Sequence, residues 1–194
     1  MSYYKSELKK FLADKTLKAD RVLSVGCMHD DREYFKSVDI KEYKTVDISD
    51  EYKPDYKYDF NEEFESDVNC GDEFDLQRKS FDCILAFELM EYIWNPFTCL
   101  VNFNYLLEVG GELWLSVPFC YPTHAPEGMD YLRYTEFGIK KLLQEAGFEI
   151  KEFAYRNWED NYWWSQAVIA DRMKPLKGYK HHNATGFIIR AVKK

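Results

Sequence analysis

The chain has 194 residues, a length typical of one soluble domain that buries a substantial core. Its formal net charge of −8 argues against a nucleic-acid partner. The sequence has no apolar run of transmembrane length and no signal-peptide core at its start, so no membrane partner is expected. The cysteines are odd in number and lack the spacing of a zinc site, which predicts reduced thiols, a cytoplasmic location and no metal. The length predicts a single domain over residues 1–194.

Predicted helices and strands alternate along the chain, which favours a doubly wound α/β fold. Helices are expected at residues 4–13, directly after Asp30, at 95–109 with Gly110 and Gly111 as its stop, and at 135–148 with Thr135 as cap and Gly147 as stop. Strands are expected at residues 22–25, 41–48, 56–60, 81–87, 112–119, 148–155 and 184–192, the last two on either side of a Trp-rich helical segment.

The loop after the first predicted strand is atypical for a nucleotide site. Gly26 stands where a tight turn needs a residue without a Cβ, but Met28 and Asp31 occupy the positions of the two further glycines of a dinucleotide fingerprint. Asp30 and Asp31 at the expected helix start would repel a pyrophosphate and would accept a ligand with a cationic end. The simpler alternative is that both aspartates only cap the helix.

Ligands of such sheets bind outside the carboxyl ends of the strands, so the residues that follow the early strands are the candidate site. They are residues 26–30, Asp47, Asp59 and residues 87–91. Asp47 follows Gly26 by close to the offset of roughly 20 residues at which a carboxylate binds a ribose diol. The alternative for Asp47 is an ordinary turn residue at a strand end.

Several segments together resemble the class I S-adenosylmethionine-dependent methyltransferases over about residues 20–150. They are VLSVGC, YKTVDIS, YDFNE, FDCILAFELMEYIWNP and VGGELWLSVPF. Residues 121–148 are similar to a small-molecule branch that follows its fifth strand with His, Pro, Asp-Tyr and Arg-Tyr-Thr. The resemblance implies a Rossmann-like, mostly parallel sheet with an antiparallel last strand, helices on both faces, and S-adenosylmethionine as cofactor.

The resemblance also implies roles for individual residues. It assigns the methionine end of the cofactor to Gly26, Cys27 and Met28, the ribose to Asp47 and Ile48, the adenine to Asp59 and Phe60, and the sulfonium side to Phe87 and Glu88. The cofactor has no phosphate, so the missing glycines matter less than in a dinucleotide site, and its ammonium group makes Asp30 tolerable.

Three positions depart from the pattern of the family. Ser24 stands where an acidic residue is usual, Met28 where a second glycine is usual, and Tyr92 where histidine is frequent. These departures keep open a methyltransferase fold that serves only as a binding or scaffold protein. A nicotinamide-dependent oxidoreductase is a further alternative, disfavoured by the missing glycines and by the absence of a Tyr-x-x-x-Lys pair after the fifth strand.

Methyl transfer is an in-line displacement, so the protein aligns the two reactants and deprotonates a hydroxyl acceptor. His124 is the predicted general base, with Asp130 and Arg133 as further catalytic residues of the same loop. Alternatively, His124 and Asp130 hold the loop together, and Arg133 is a structural ion-pair partner or a clamp for an anionic acceptor.

The predicted acceptor is a small molecule, a sugar or surface-polysaccharide precursor methylated on oxygen. Its binding is assigned to Tyr131, Tyr134 and Trp163. Trp163 belongs to a cluster of aromatic side chains that divides between core and acceptor pocket, namely Trp158, Tyr162, Trp163 and Trp164. A homodimer is left open.

Overall fold

The computed structural model describes residues 3–26, 29–64, 80–123, 128–157 and 184–194. Cys27, Met28, His124 and the aromatic cluster with Trp163 lie outside the described residues. The helices are α1 (Tyr3–Leu12), α2 (Pro96–Leu106) and α3 (Glu136–Glu145). The strands are β1 (Thr16–Val25), β2 (Ser37–Asp47), β3 (Tyr56–Lys57), β4 (Phe81–Ala86), β5 (Leu107–Pro118), β6 (Phe148–Asn157) and β7 (Ala184–Lys193).

All seven strands form one sheet in the order β3-β2-β1-β4-β5-β7-β6. Neighbouring strands from β3 to β5 are parallel, and β7 runs antiparallel between β5 and β6. The prediction of a mostly parallel sheet with an antiparallel last strand is confirmed. The strand order reverses between β1 and β4, and this switch point is where sheets of this type bind ligands.

Alternate residues of the strands pack on opposite faces of the sheet. One face meets α2 and α3 through a buried cluster that includes Phe103 and Leu143, and the other meets α1 through Leu8 and Leu12. The prediction of helices on both faces is therefore confirmed. No helix within the described residues has the length and apolarity needed to cross a bilayer.

The helix expected after Asp30 is wrong, because a 3-10 turn over Asp31–Tyr34 leads directly into β2. The register pairs Thr16 with Ser37, so residues 26–36 must run back along the whole length of β1. A strand of that length rises about 33 Å, whereas residues 26–36 would rise only about 16 Å as an α-helix. An α-helix over these residues could not span that distance, and the 3-10 turn stands in its place.

The stop expected at Gly110 and Gly111 is also wrong, since α2 ends at Leu106 and both glycines lie within β5. The pairing of β4 with β5 is irregular at this point. Gly110 has φ +82°, and a Cβ on Gly111 would lie 2.9 Å from the carbonyl oxygen of Glu108. The glycines serve a β-bulge and not a helix end. The cap and stop of α3 are confirmed, with the Thr135 hydroxyl accepting from the Gly138 N–H at 3.1 Å.

Candidate functional site

A cavity of about 230 Å³ lies at the carboxyl ends of the first strands. Its walls come from the ends of β1 and β2, the segment after β3, the turn after β4, and the loop that precedes α3. These segments are far apart in the chain and meet at the switch point of the sheet. Among the described residues, no group of three His, Cys, Asp or Glu side chains is arranged to hold a metal ion.

Gly26 forms the wall of the cavity at the end of β1. Its φ is +88°, in the left-handed region, and its N–H donates to the carbonyl oxygen of Val46 at 2.9 Å. A Cβ at this position would meet only Leu89 Cδ1 at 3.7 Å, so the backbone conformation and not crowding favours glycine here. The turn leaves backbone atoms on the cavity wall, where a ligand can approach them.

Two predicted ribose residues lie at the end of β2. One carboxylate oxygen of Asp47 accepts from the N–H of Ser49 at 2.8 Å, which fixes the half-buried side chain. The Ile48 side chain is 49% exposed and lines the cavity beside it. The site thus presents an oriented carboxylate next to an apolar surface, an arrangement suited to a sugar diol attached to a flat base.

The segment after β3 combines a polar edge with an aromatic floor. Asp59 accepts hydrogen bonds from the backbone N–H of Asn61 at 2.9 Å and from its side-chain amide at 2.8 Å. Phe60 is buried and packs edge-to-face on Phe103 with ring centroids 4.9 Å apart. The neighbouring Tyr58 also lines the cavity. A planar heteroaromatic ring fits between such surfaces.

A carboxylate that the sequence does not place near β1 lies against it in the structure. Ser24 is completely buried, and its hydroxyl donates to Asp31 at 2.8 Å; Asp31 itself is buried. Burial, together with the negative charge of Asp31, raises the pKa of Tyr34 and of Tyr43 to about 12. Position 24 itself carries no acid, but Asp31 from the 3-10 turn places a carboxylate beside it. The sequence gives no signal for this contact.

Glu88 lies directly beyond β4 and has φ +52°, a strained conformation for a residue with a side chain. The Ser116 hydroxyl accepts from the N–H of Glu88 at 2.9 Å and donates to its carboxylate. The guanidinium of Arg156, which is completely buried, also donates to this carboxylate. Neither Ser116 nor Arg156 is identified by the sequence, because their link to Glu88 exists only across the sheet.

Phe87 and Glu88 do not lie on the cavity wall. The Phe87 ring is buried and meets Tyr34 edge-to-face with centroids 6.2 Å apart. Of the predicted cofactor residues within the described part of the chain, those on the cavity wall are Gly26, Asp47, Ile48, Asp59 and Phe60.

Glu91 is buried in the 3-10 turn Met90–Tyr92, which follows β4. Burial and the charge of Glu88 raise the pKa of its carboxyl group to about 8. The Glu91 carbonyl oxygen accepts from the N–H groups of Tyr131 at 2.8 Å and Leu132 at 3.2 Å. These bonds hold the loop that precedes α3 against the turn.

Arg133 ties this loop together with all five of its N–H donors. Two go to the carboxylate of Asp130, and the others go to the carbonyl oxygens of Tyr121 at 3.0 Å, Pro122 at 3.1 Å and Leu132 at 2.8 Å. These bonds leave no donor of Arg133 for a carboxylate or phosphate of an acceptor. The geometry of the ion pair is that of a structural clamp on the loop.

The two predicted acceptor-binding tyrosines of the same loop lie in different surroundings. Tyr131 is 49% exposed and lines the cavity with Tyr92, Trp94 and Met129. Tyr134 is 5% exposed, and its hydroxyl donates to the carbonyl oxygen of Met90 at 2.7 Å. The structure thus brings Tyr131 to the cavity and packs Tyr134 in the core.

Comparison with solved structures finds the same fold in many methyltransferases. An S-adenosylmethionine-dependent methyltransferase from Mesorhizobium loti aligns at 13% identity and TM-score 0.63 over 99% of this chain and 98% of that one. A Burkholderia thailandensis 1,6-didemethyltoxoflavin-N1-methyltransferase with bound S-adenosylhomocysteine aligns at 15% identity and TM-score 0.56, over 98% and 76%. The [4+2]-cyclase SpnF aligns at 17% identity and TM-score 0.61, over 96% and 80%. At these identities the likeness shows the fold alone.

No curated protein sequence matches the chain. A family model described as methyltransferase domain matches residues 1–152, which is most of the chain. The matching structures include proteins whose names give S-adenosylmethionine, the predicted cofactor, as their own cofactor or ligand. With the seven-stranded sheet, its switch-point cavity and this match together, the chain belongs to the methyltransferase-domain family.

Proposed function

We propose that this protein transfers a methyl group from S-adenosylmethionine to a small-molecule acceptor. The observation that carries the proposal is the convergence of Gly26, Asp47 and Asp59 on one cavity. The three residues follow three different strands, and the resemblance assigns them to three different parts of one cofactor. A cavity formed for another purpose would not require all three in these positions.

The residues present fit the cofactor part by part. The backbone at Gly26 would hold the amino-acid end, Asp47 the ribose, and Asp59 with Phe60 the adenine. The buried carboxylate of Asp31 would add a negative charge beside the end of β1, although it does not line the cavity. When bound, the cofactor supplies an electrophilic methyl group on a cationic sulfur. The chain's own contribution is to orient this group and to exclude water from it.

The mouth of the cavity supports an acceptor with a flat or weakly polar face. Trp94 is 60% exposed, Tyr131 49% and Met129 38%, and all three line the cavity. Exposed aromatic rings grouped at a cavity mouth are typical of binding sites. We therefore keep a sugar or surface-polysaccharide precursor, methylated on oxygen, as the proposed acceptor, with His124 as the proposed base.

Asp130 and Arg133 are better assigned to positioning this loop than to touching the acceptor, because their charged groups pair with each other. Trp163 stays a predicted acceptor contact outside the described residues. The proposal also keeps the cytoplasm as the compartment, excludes nucleic acid and membrane as partners, and leaves a homodimer open.

The alternative is a methyltransferase fold that binds ligands without methylating them. It is favoured by Ser24 and Met28, which depart from the family, and by the cyclase among the structural matches. A nicotinamide-dependent oxidoreductase is not favoured by any of the comparisons.

Calorimetric titration with S-adenosylmethionine, S-adenosylhomocysteine and NAD separates these functions. We expect binding of the first two only, and at least about a tenfold loss of affinity in Asp47→Ala, since the oriented carboxylate is lost. The matched control is Asp39→Ala, an exposed aspartate near the other end of β2. Binding of NAD alone, or of none of the three, would overturn the proposal.

The acceptor class is tested separately, by measuring the formation of S-adenosylhomocysteine from S-adenosylmethionine in the presence of a panel of sugar acceptors.

A further inference from the structure

A buried glutamate belongs to the turn that forms part of the cavity wall. Glu91 is 1% exposed, and its neighbours Leu89 and Tyr92 line the cavity. The turn that carries Glu91 is held by the backbone hydrogen bonds from Tyr131 and Leu132. Glu91 is therefore adjacent to the cavity wall along the chain, and its side chain is poorly solvated.

The charged groups around Glu91 do not balance when all of them are ionised. Glu88 pairs with Arg156, and Asp130 pairs with Arg133. Each cation near Glu91 is thus already matched by another carboxylate. Among the described residues, no donor reaches Oε2 of Glu91, which is buried. In the described part of the chain, the other titratable groups that interact with this cluster are the phenols of Tyr34, Tyr92 and Tyr134.

Burial disfavours the charged form of a carboxyl group, and for Glu91 this effect outweighs the attraction of Arg156 and Arg133 and the hydrogen bond from its own backbone N–H, so the neutral form predominates at pH 7. Glu88 adds to this effect because its negative charge opposes a second one nearby. Among the described residues, this cluster therefore has three carboxyl groups and two cations. A cationic ligand in the adjacent cavity would supply the missing positive charge, because charges in a poorly solvated region are screened much less than charges in water.

We propose that Glu91 exchanges a proton in step with the charge of the cofactor. This inference rests on the proposed function. Glu91 ionises when the cationic sulfur occupies the cavity, and it takes up a proton when methyl transfer has made the sulfur neutral. In that step the methyl carbon bonds to the acceptor atom while its bond to sulfur breaks. The sulfur would keep the electron pair, the proton of the acceptor hydroxyl would pass to the proposed base His124 and from it to solvent, and Glu91 would take up one proton from solvent.

The exchange would make the site selective between cofactor and product. An ionised Glu91 stabilises the cationic cofactor, whereas the neutral product gains nothing from it. The ratio of the affinities for S-adenosylmethionine and S-adenosylhomocysteine should therefore rise with pH, by up to about tenfold between pH 6 and pH 7. Glu91 is in this sense a specificity-determining residue that need not touch either ligand.

Calorimetry in two buffers of different ionisation enthalpy, phosphate and Tris at pH 7, counts the protons released on binding. We expect S-adenosylmethionine to release about 0.5 to 1 proton more per site than S-adenosylhomocysteine. The two ligands share the ammonium and carboxylate groups, so the difference isolates the charge on sulfur. Glu91→Gln preserves the shape of the neutral carboxyl group and should abolish the difference. The control Glu108→Gln, at an exposed position near the start of β5, should retain it.

The outcomes separate this inference from the proposed function. Equal proton release with both ligands, or a difference that persists in Glu91→Gln, would overturn the role of Glu91 while the methyltransferase proposal stands. Failure of either ligand to bind the unmodified protein would overturn both. Because the first comparison uses the unmodified protein, the test does not depend on the folding of a variant.

Discussion

Ser24 and Asp31 show how a single position can depart from its family without loss of the group it normally carries. The hydroxyl of Ser24 donates to the buried carboxylate of Asp31, so an acid still lies beside the end of β1. The acid comes from the 3-10 turn instead of from the strand. We therefore regard Ser24 as compatible with an intact cofactor site.

A swap of the two side chains tests this interpretation. Ser24→Asp alone places two carboxylates in one buried site and should lower the free energy of unfolding by about 2–4 kcal/mol, because both cannot ionise there. The double variant Ser24→Asp with Asp31→Ser restores one carboxylate and one hydroxyl and should recover most of that loss. Urea denaturation measures both.

The Ser24→Ala variant is the control for the swap and should lose about 1–3 kcal/mol, the contribution of a hydrogen bond to a charged group. A double variant that is no more stable than Ser24→Asp would show that the Ser24–Asp31 pair is not interchangeable and would contradict our interpretation.

At the scale of elements, the loop before α3 is fixed by one side chain. Arg133 reaches both ends of the segment, from Tyr121 to Leu132, and Tyr131 within it forms part of the cavity mouth. The clamp fixes the two described parts of the loop relative to each other. We therefore expect Arg133 to affect methyl transfer to the acceptor more than it affects cofactor binding.

Arg133→Lys should therefore lower kcat/KM for the acceptor by about tenfold or more, because lysine cannot reproduce a planar set of five donors. The affinity for S-adenosylmethionine should change by less than about twofold, since the cofactor residues lie elsewhere. Steady-state kinetics and calorimetry on the same preparation separate the two effects.

Lys141→Arg, at an exposed ion pair of α3, is the matched control and should leave both quantities unchanged. Equal losses of cofactor affinity and of kcat/KM in Arg133→Lys would instead place Arg133 in the cofactor site, and unchanged kinetics would remove its positioning role.

At the scale of the whole molecule, the site joins the two halves of the sheet. The cavity wall draws on β1 and β2 on one side of the switch point and on the turn after β4 on the other. A ligand that binds there contacts both halves and should stabilise the fold as a unit.

S-adenosylhomocysteine at about 100 times its Kd should therefore raise the free energy of unfolding by about 2.7 kcal/mol, which corresponds to a rise in Tm of roughly 5–10 °C. Differential scanning fluorimetry measures the shift. Asp47→Ala should show a smaller shift at the same ligand concentration, and Asp39→Ala the full one. A shift of equal size with NAD would argue against a site built for the methyl donor.

The amino-acid sequence by itself determined which segments become strands and which residues follow them. The strands β4 and β7 and the second half of β5 are predicted correctly from their apolar runs. Asp47 and Asp59 are identified because ligands of such sheets bind where the strands end. The cap of α3 was also predicted, since Thr135 acts on a backbone N–H only three residues away. These features depend on contacts that are local along the chain.

Only the tertiary structure decided the features that depend on register and on distant contacts. The 3-10 turn that replaces the expected helix before β2 follows from the pairing of Thr16 with Ser37, which no local pattern encodes. Arg156 reaches Glu88 from 68 residues away, and the burial that keeps Glu91 neutral arises only when the loop before α3 packs on its turn. Local propensity determines where an element forms, whereas the distance between strand ends and the exclusion of water determine what the assembled site can bind.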